Sequence, residues 1–174
     1  MCARIVAITG SPGTGKSTLA AQLQQHGFHV LSMETIAQQA NALFQHNGLR
    51  EIDTSKLSEW NWTGEKPCFI DGHLSQYCSI DAAIVLRCNP SVLRDRLSAR
   101  RGYGPAKIES NVEWELLSGV WTDLVTLHPK AKVLEIDNTS GEIELETILH
   151  FVSNLETSAS VENSVEDSID WISI

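Results

Sequence analysis

The residues most able to do chemistry lie near the start of the chain. Gly10-Ser11-Pro12-Gly13-Thr14-Gly15-Lys16-Ser17-Thr18 fills the pattern G-x-x-x-x-G-K-S without a mismatch. Glycines at this spacing let main-chain N–H groups close in on anionic oxygens that a β-carbon would hold off. Lys16 is placed to reach β- and γ-phosphates, the Ser17 hydroxyl to ligate Mg²⁺, and Thr18 to donate near an α-phosphate from the first helical turn. Gly13, Thr14 and Gly15 complete the expected nucleotide-binding set. The chemistry predicted is binding of a nucleoside triphosphate with Mg²⁺.

A second constellation follows about sixty residues on. Asp71 ends an apolar run and has the placement of a carboxylate that holds Mg²⁺ through water. His73, two residues further, is suited to orient a water or read an acceptor. Arg87, Arg94, Arg96, Arg100 and Arg101 cluster in a way that suits a polyphosphate site better than a solvated helix face.

These residues need elements to hold them. Arg4–Thr9 is short, β-branched and apolar, and so predicts a buried strand. Leu19 and Leu23 lie one helical turn apart before Gly27, which predicts a helix after the loop. Further strands are expected at 28–32, 67–71, 82–86 and 132–136. Helices are expected from Ser32 to Asn47-Gly48, around Leu57, from Asn89-Pro90 to Gly102, from Pro105 to Leu127, and after a capping box of Thr139 with Glu142. Alternating strands and helices predict an α/β, doubly wound parallel sheet with ligands at the carboxyl ends of its strands. The glycine loop, Asp71 to His73, Arg87 and Asp137 to Thr139 all fall at such ends.

A chain of 174 residues suits one compact domain. No apolar run is long enough to span a membrane and no signal peptide precedes the loop, so a cytoplasmic location, or a nuclear one in a eukaryote, is expected. Cys2, Cys68, Cys78 and Cys88 form no C-x-x-C pair and are expected to be reduced thiols. The net charge of −9 is uneven: all 13 basic residues precede Val133, against 12 acidic ones, and 10 acidic residues follow. The part through Lys132 is thus near neutral, at +1, and the catalytic domain is expected to span about 1–155. Residues 156–174 form an acidic tail whose composition predicts disorder, with Val161, Val165, Ile169 and Ile172 spaced for a short docking helix. Such a tail favours a basic protein partner over naked nucleic acid, whose phosphates it repels.

The loop, Asp71-Gly72-His73-Leu74, Ile84-Val85-Leu86-Arg87-Cys88, and Arg101-Gly102-Tyr103 with Lys107 and Asn111 resemble the Fap7/CINAP group of small adenylate kinases over residues 4–150. The resemblance implies a nucleoside-monophosphate-kinase fold with strand order 2-3-1-4-5 and helices on both faces. It implies adenylate kinase and ATPase activity, and a role in small ribosomal subunit maturation beside a ribosomal protein. By position, Lys16, Asp71, His73 and Arg101 would be catalytic, with Asp71 and Ser17 serving Mg²⁺. Arg101 would open a lid of about 101–111, and Asn138-Thr139 would lie near the adenine. An arm of about 30–53 would bind AMP or another nucleoside monophosphate, with Gln38, Arg50, Asp53 and Arg96 as acceptor-side residues. Two departures stand out. Ile36-Ala37-Gln38 carries glutamine where the group has an arginine for the acceptor phosphate, a loss of about 1.5–3 kcal/mol for a charge-assisted contact. Arg100-Arg101 stands where one arginine is usual.

Two rivals share the loop. A GTPase needs an Asn-Lys-x-Asp guanine motif after the fourth strand, where this chain has Arg87-Cys88-Asn89-Pro90. A kinase of another small acceptor differs only in the arm.

Overall fold

The computed structural model of the chain describes residues 4–173; Cys2 and Ile174 lie outside them. The central strand is β1 (Ile5–Thr9), buried throughout. After it come α1 (Lys16–Gln25), β2 (His29–Ser32), α2 (Met33–Gln39), β3 (Leu43–His46), β4 (Leu49–Ile52), α3 (Thr54–Leu57) and β5 (Cys68–Asp71). The second half holds β6 (Ala82–Arg87), α4 (Pro90–Ser98), α5 (Pro105–Leu116), α6 (Gly119–Leu127), β7 (Lys132–Asp137), α7 (Leu145–Ser153) and α8 (Val161–Ser164). Short 3₁₀ turns occupy Ser75–Tyr77 and Val165–Asp167.

Five strands form one sheet in the order β2-β5-β1-β6-β7, every pair parallel. Counted among themselves these strands run 2-3-1-4-5, and a separate antiparallel hairpin inserts β3 and β4 into the chain numbering. The sheet is apolar on both faces because helices cover both. Val6 and Ile8 point with Phe69, Ile84 and Leu86 toward Leu19 and Leu23 of α1 and Ile148 and Phe151 of α7. On the opposite face Ile5 and Ile70 meet Ile36 and Leu57, while Ala83 and Val85 meet Val120, Trp121 and Leu124 of α6 and Val161 of α8.

Three local expectations are corrected. The helix expected to run to Asn47-Gly48 stops at Gln39. Asn47 and Gly48 take φ of +52° and +76° and turn a hairpin, with Leu43 opposite Ile52. The single helix expected from Pro105 to Leu127 is two, because Ser118 adopts a left-handed φ of +52° and its hydroxyl accepts from Arg87 Nη2 at 3.0 Å. The capping box does not form: α7 begins at Leu145, and the Thr139 hydroxyl donates to Asp137 and accepts from Asn89 N instead.

The acidic tail lies against the body. Lys132 forms a bridge with Ser160, Val161 is fully buried, and Ile169 and Trp171 bond to side chains of the core. Cys68, Cys78 and Cys88 are buried free thiols. Among the described residues no helix is long and apolar enough to cross a membrane.

Candidate active site

β1 delivers its chain directly into the glycine loop, and α1 begins at Lys16 with Gly15 as its N-cap at φ +106°. Glycine is required there: a Cβ would meet Asn138 Nδ2 at 2.3 Å. The loop is braced from inside. Thr14 donates its hydroxyl to Ser11 O at 2.9 Å, and Thr14 O accepts from Asn138 Nδ2 at 2.7 Å. Lys16 is nearly buried and folds back, donating through Nζ to Gly10 O at 2.7 Å and Ser11 O at 2.8 Å. Burial lowers its ammonium from 10.5 to about 8; the carboxylate of Asp71 opposes this, and the Arg100 charge adds to it.

Above the loop opens a cavity of about 440 Å³, lined by Gly13, Gly15, Lys16, Ser17 and Thr18, by Asp71 and His73, and by Arg100, Tyr103, Lys107 and Asn111. The N-terminus of α1 and three cations thus face one space, which is an arrangement for polyphosphate. A second cavity of about 310 Å³ shares Pro12, His73 and Asn111 with the first and extends past Tyr77, Trp114 and Asp123. His73 lines both cavities and is exposed, though partly desolvated. That desolvation, then the charges of Lys16 and Lys107, hold its imidazole below the usual 6.5. Ser17 and Asp71 line one cavity, and no cluster of three His, Cys, Asp or Glu ligands exists among the described residues. One carboxylate, one hydroxyl and phosphate oxygens suit Mg²⁺, which keeps much of its water shell, so these residues fit that ion.

Several expected residues lie elsewhere. With α4 ending at Ser98 and Gly102 turning at φ +82°, it is Arg100 that lines the cavity, and Arg101 is not among the lining residues. Arg87 is no phosphate ligand: it is fully buried, bonded to Glu115 at 2.6 Å and Glu135 at 2.7 Å. Arg94 pairs with Glu109. Arg96, expected on the acceptor side, spans from α4 to Asn138 O at 3.0 Å and Thr139 O at 2.8 Å. Asn138 is buried beneath the loop, its Oδ1 without a partner, beside Thr139. In the arm, Gln38 is exposed on α2, Arg50 lies 3.2 Å from Glu34, and Asp53 caps α3 through Ser55 N at 3.1 Å. None of these three lines either cavity.

Sequence reasoning missed Glu115, which accepts the Ser11 hydroxyl at 2.6 Å. No signal marks it, since a glutamate between Val112 and Leu116 on an amphipathic helix reads as solvated. Lys107, 4.3 Å from the Tyr103 ring centroid, was visible only through the family resemblance.

Fold and cavity together define a phosphate-loop phosphotransferase, with the ATP-side machinery at the carboxyl edge of a parallel sheet. The chain belongs to the AAA_18 family, described as an AAA domain, whose profile matches residues 6–118. It is similar to a protein named "Putative adenylate kinase" from Archaeoglobus fulgidus, at 35% identity over 85% of this chain and 79% of that one. A protein of the same name from Methanocaldococcus jannaschii is 30% identical over 97% of each chain. Among solved structures, TT1252 from Thermus thermophilus aligns with a TM-score of 0.57 at 17% identity, covering 91% of this chain and all of that one. A deoxyadenosine kinase from M. mycoides aligns at 0.50, with 16% identity, over 86% and 96% of the two chains. At such identities these two speak for the fold.

Proposed function

We propose that the chain is a Mg²⁺-dependent adenylate kinase of the Fap7/CINAP type. It would move the γ-phosphoryl of ATP to AMP, giving two ADP, and hydrolyse ATP slowly when no acceptor is present. The observation that carries this reading is the convergence of Lys16, Asp71, His73, Arg100 and Lys107 on one cavity, which shares Pro12, His73 and Asn111 with a neighbouring one. The archaeal relatives carry the name adenylate kinase, which supports the choice of acceptor.

In this reading the main-chain N–H groups of Gly13 to Thr18 cradle the phosphates. Lys16 leaves the carbonyls of Gly10 and Ser11 for the β,γ-oxygens. Ser17 and Asp71 hold Mg²⁺, which neutralises phosphate charge when bound. An AMP phosphate oxygen bonds to the γ-phosphorus as the bond from that phosphorus to the bridging oxygen of ADP breaks. The protein supplies alignment and positive charge rather than covalent chemistry. Arg100 and Lys107 neutralise the equatorial oxygens, and a lid of about 101–111, with Gly102 and Gly104 flanking Tyr103, closes over them. An arm of about 30–53 receives the acceptor. Since Gln38 supplies no charge to its phosphate, closure on AMP is weak, and a water beside neutral His73 competes. The same uncharged arm favours a second reading, in which another small acceptor replaces AMP.

We further propose that this ATP cycle serves small ribosomal subunit maturation in the cytoplasm or nucleus, with the acidic region after Val133 facing a basic ribosomal protein. The test of the enzymatic reading is ATP turnover with AMP, CMP, UMP, GMP or no acceptor, for wild type and His73→Ala. Stimulation by AMP above the other acceptors is expected, with acceptor-free hydrolysis down at least tenfold in His73→Ala. Equal rates with all acceptors and none would refute the kinase reading.

A further inference from the structure

We infer that Glu115 is a positioning residue for the phosphate loop, and that the C-terminal segment 168–173 is the strap that holds it. This rests on the phosphate-loop reading above and adds a part to it. Glu115 belongs to α5 and is 1% exposed. Its Oε1 accepts from Arg87 Nε at 2.6 Å, from Trp171 Nε1 at 3.1 Å and from Cys88 N at 3.2 Å. Its Oε2 accepts from the Ser11 hydroxyl at 2.6 Å. A carboxylate this deep must be neutralised, and Arg87 does so while spending its other donors on Glu135, Glu115 O, Ser118 Oγ and Ile169 O.

An ion pair serving only the core would end there. This one continues into the catalytic loop, and at a telling residue: Ser11 O is one of the two carbonyls that hold Lys16 Nζ, and it also accepts from Thr14 Oγ1. Moving Glu115 therefore moves the peptide against which Lys16 rests. The same helix presents Lys107 and Asn111 to the phosphate cavity, so α5 touches nucleotide-facing residues at one end and the loop's underside at the other.

At the far side the network is closed by the tail. Ile169 N donates to Glu135 Oε2 at 2.8 Å, Ile169 O accepts from Arg87 Nη1 at 3.3 Å, and the Trp171 ring lies 5.9 Å from the Arg87 guanidinium. Without Trp171, Glu115 Oε1 loses a donor and the guanidinium its aromatic neighbour. The line Trp171–Glu115–Ser11 thus runs from a residue near the end of the chain to the third residue before Thr14, across more than 150 positions of sequence. A ligand or protein that lifts the strap would loosen the loop.

The experiment compares full-length wild type, Ser11→Ala, Trp171→Phe and the double variant for binding of a fluorescent ATP analogue with Mg²⁺, alongside thermal midpoints. Ser11→Ala removes only the hydroxyl and Trp171→Phe only the indole N–H and ring area. Removing the hydroxyl leaves the buried Glu115 Oε2 without its donor, so the thermal midpoint of Ser11→Ala is expected to fall by several degrees. A positioning role adds a weakening of nucleotide binding by about tenfold, measured where the variant is fully folded. Trp171→Phe is expected to weaken it severalfold, and the double variant to bind no worse than Ser11→Ala, because both act through Glu115. Wild-type affinity in either single variant, or additive losses in the double, would overturn the inference. Failure of wild type itself to bind the analogue would instead count against the phosphate-loop reading, which separates the two.

Discussion

Lys16 holds its proton in a place that resists it, and this has a measurable sign. In the folded chain its ammonium is lowered by burial from 10.5 to about 8, while in the unfolded chain it keeps the ordinary value. Between those two values the unfolded state binds more protons, so this group makes folding more favourable as pH rises through 8 and up toward 10.5. The full effect is on the order of 3 kcal/mol. Urea unfolding of wild type and Lys16→Met, without nucleotide and in a chelator, is expected to show wild type gaining on the variant from pH 7.5 to 9.5. Parallel curves would contradict it. Burial also pushes the thiols of Cys68 and Cys78 up, to about 11 and about 12. Both are therefore expected to resist alkylation at pH 7.5 until the chain unfolds, as counted with a chromogenic thiol reagent.

At the scale of elements, the proposal that an arm of about 30–53 receives the acceptor is tested at Gln38. Gln38 is exposed on α2, so an arginine there meets no steric obstacle. Gln38→Arg is expected to lower KM for AMP about tenfold with little change in KM for ATP, by restoring a charge-assisted contact. An unchanged KM for AMP would remove Gln38 from the acceptor side. Legibility in the sequence also divides by element. The strands of the sheet and the loop were readable because burial on both faces and a backbone cradle both force residue types. The hairpin at 43–52 was not, since Leu43 and Phe44 continue the helical spacing of Ile36 and Ala40, and only Asn47-Gly48 marks the turn. The break at Ser118 was hidden for a related reason: Leu116, Val120 and Leu124 keep four-residue spacing across it, while the hydrogen bond from Arg87 that favours the break comes from a distant strand.

Across the whole molecule, Arg87 joins β6, α5, the α5–α6 turn, β7 and the tail through one guanidinium. By sequence it looked like a phosphate ligand, because a strand-end arginine among other arginines gives no hint of buried partners that lie 28 and 48 residues away. Arg87→Ala leaves Glu115 and Glu135 facing each other without their cation, and is expected to destabilise the chain by about 3–5 kcal/mol in urea unfolding. Arg94→Ala, which breaks an exposed pair with Glu109, is expected to change it by less than about 1 kcal/mol. Similar losses in the two would show that Arg87 does not organise the fold. The tail was ambiguous in the sequence because its composition is that of a disordered segment while its contacts are made by a few residues, Val161, Ile169 and Trp171, to a network that composition does not reveal.

The proposed phosphoryl transfer depends on Lys16 and the loop that holds it. Its most direct test is ADP formation from ATP and AMP with Mg²⁺, by wild type and by Lys16→Met at matched folded concentration. The expected result is a fall of at least about a hundredfold in the variant, as for loss of a preorganised charge at a transferring phosphoryl group. ADP formed at the wild-type rate by Lys16→Met would contradict the account.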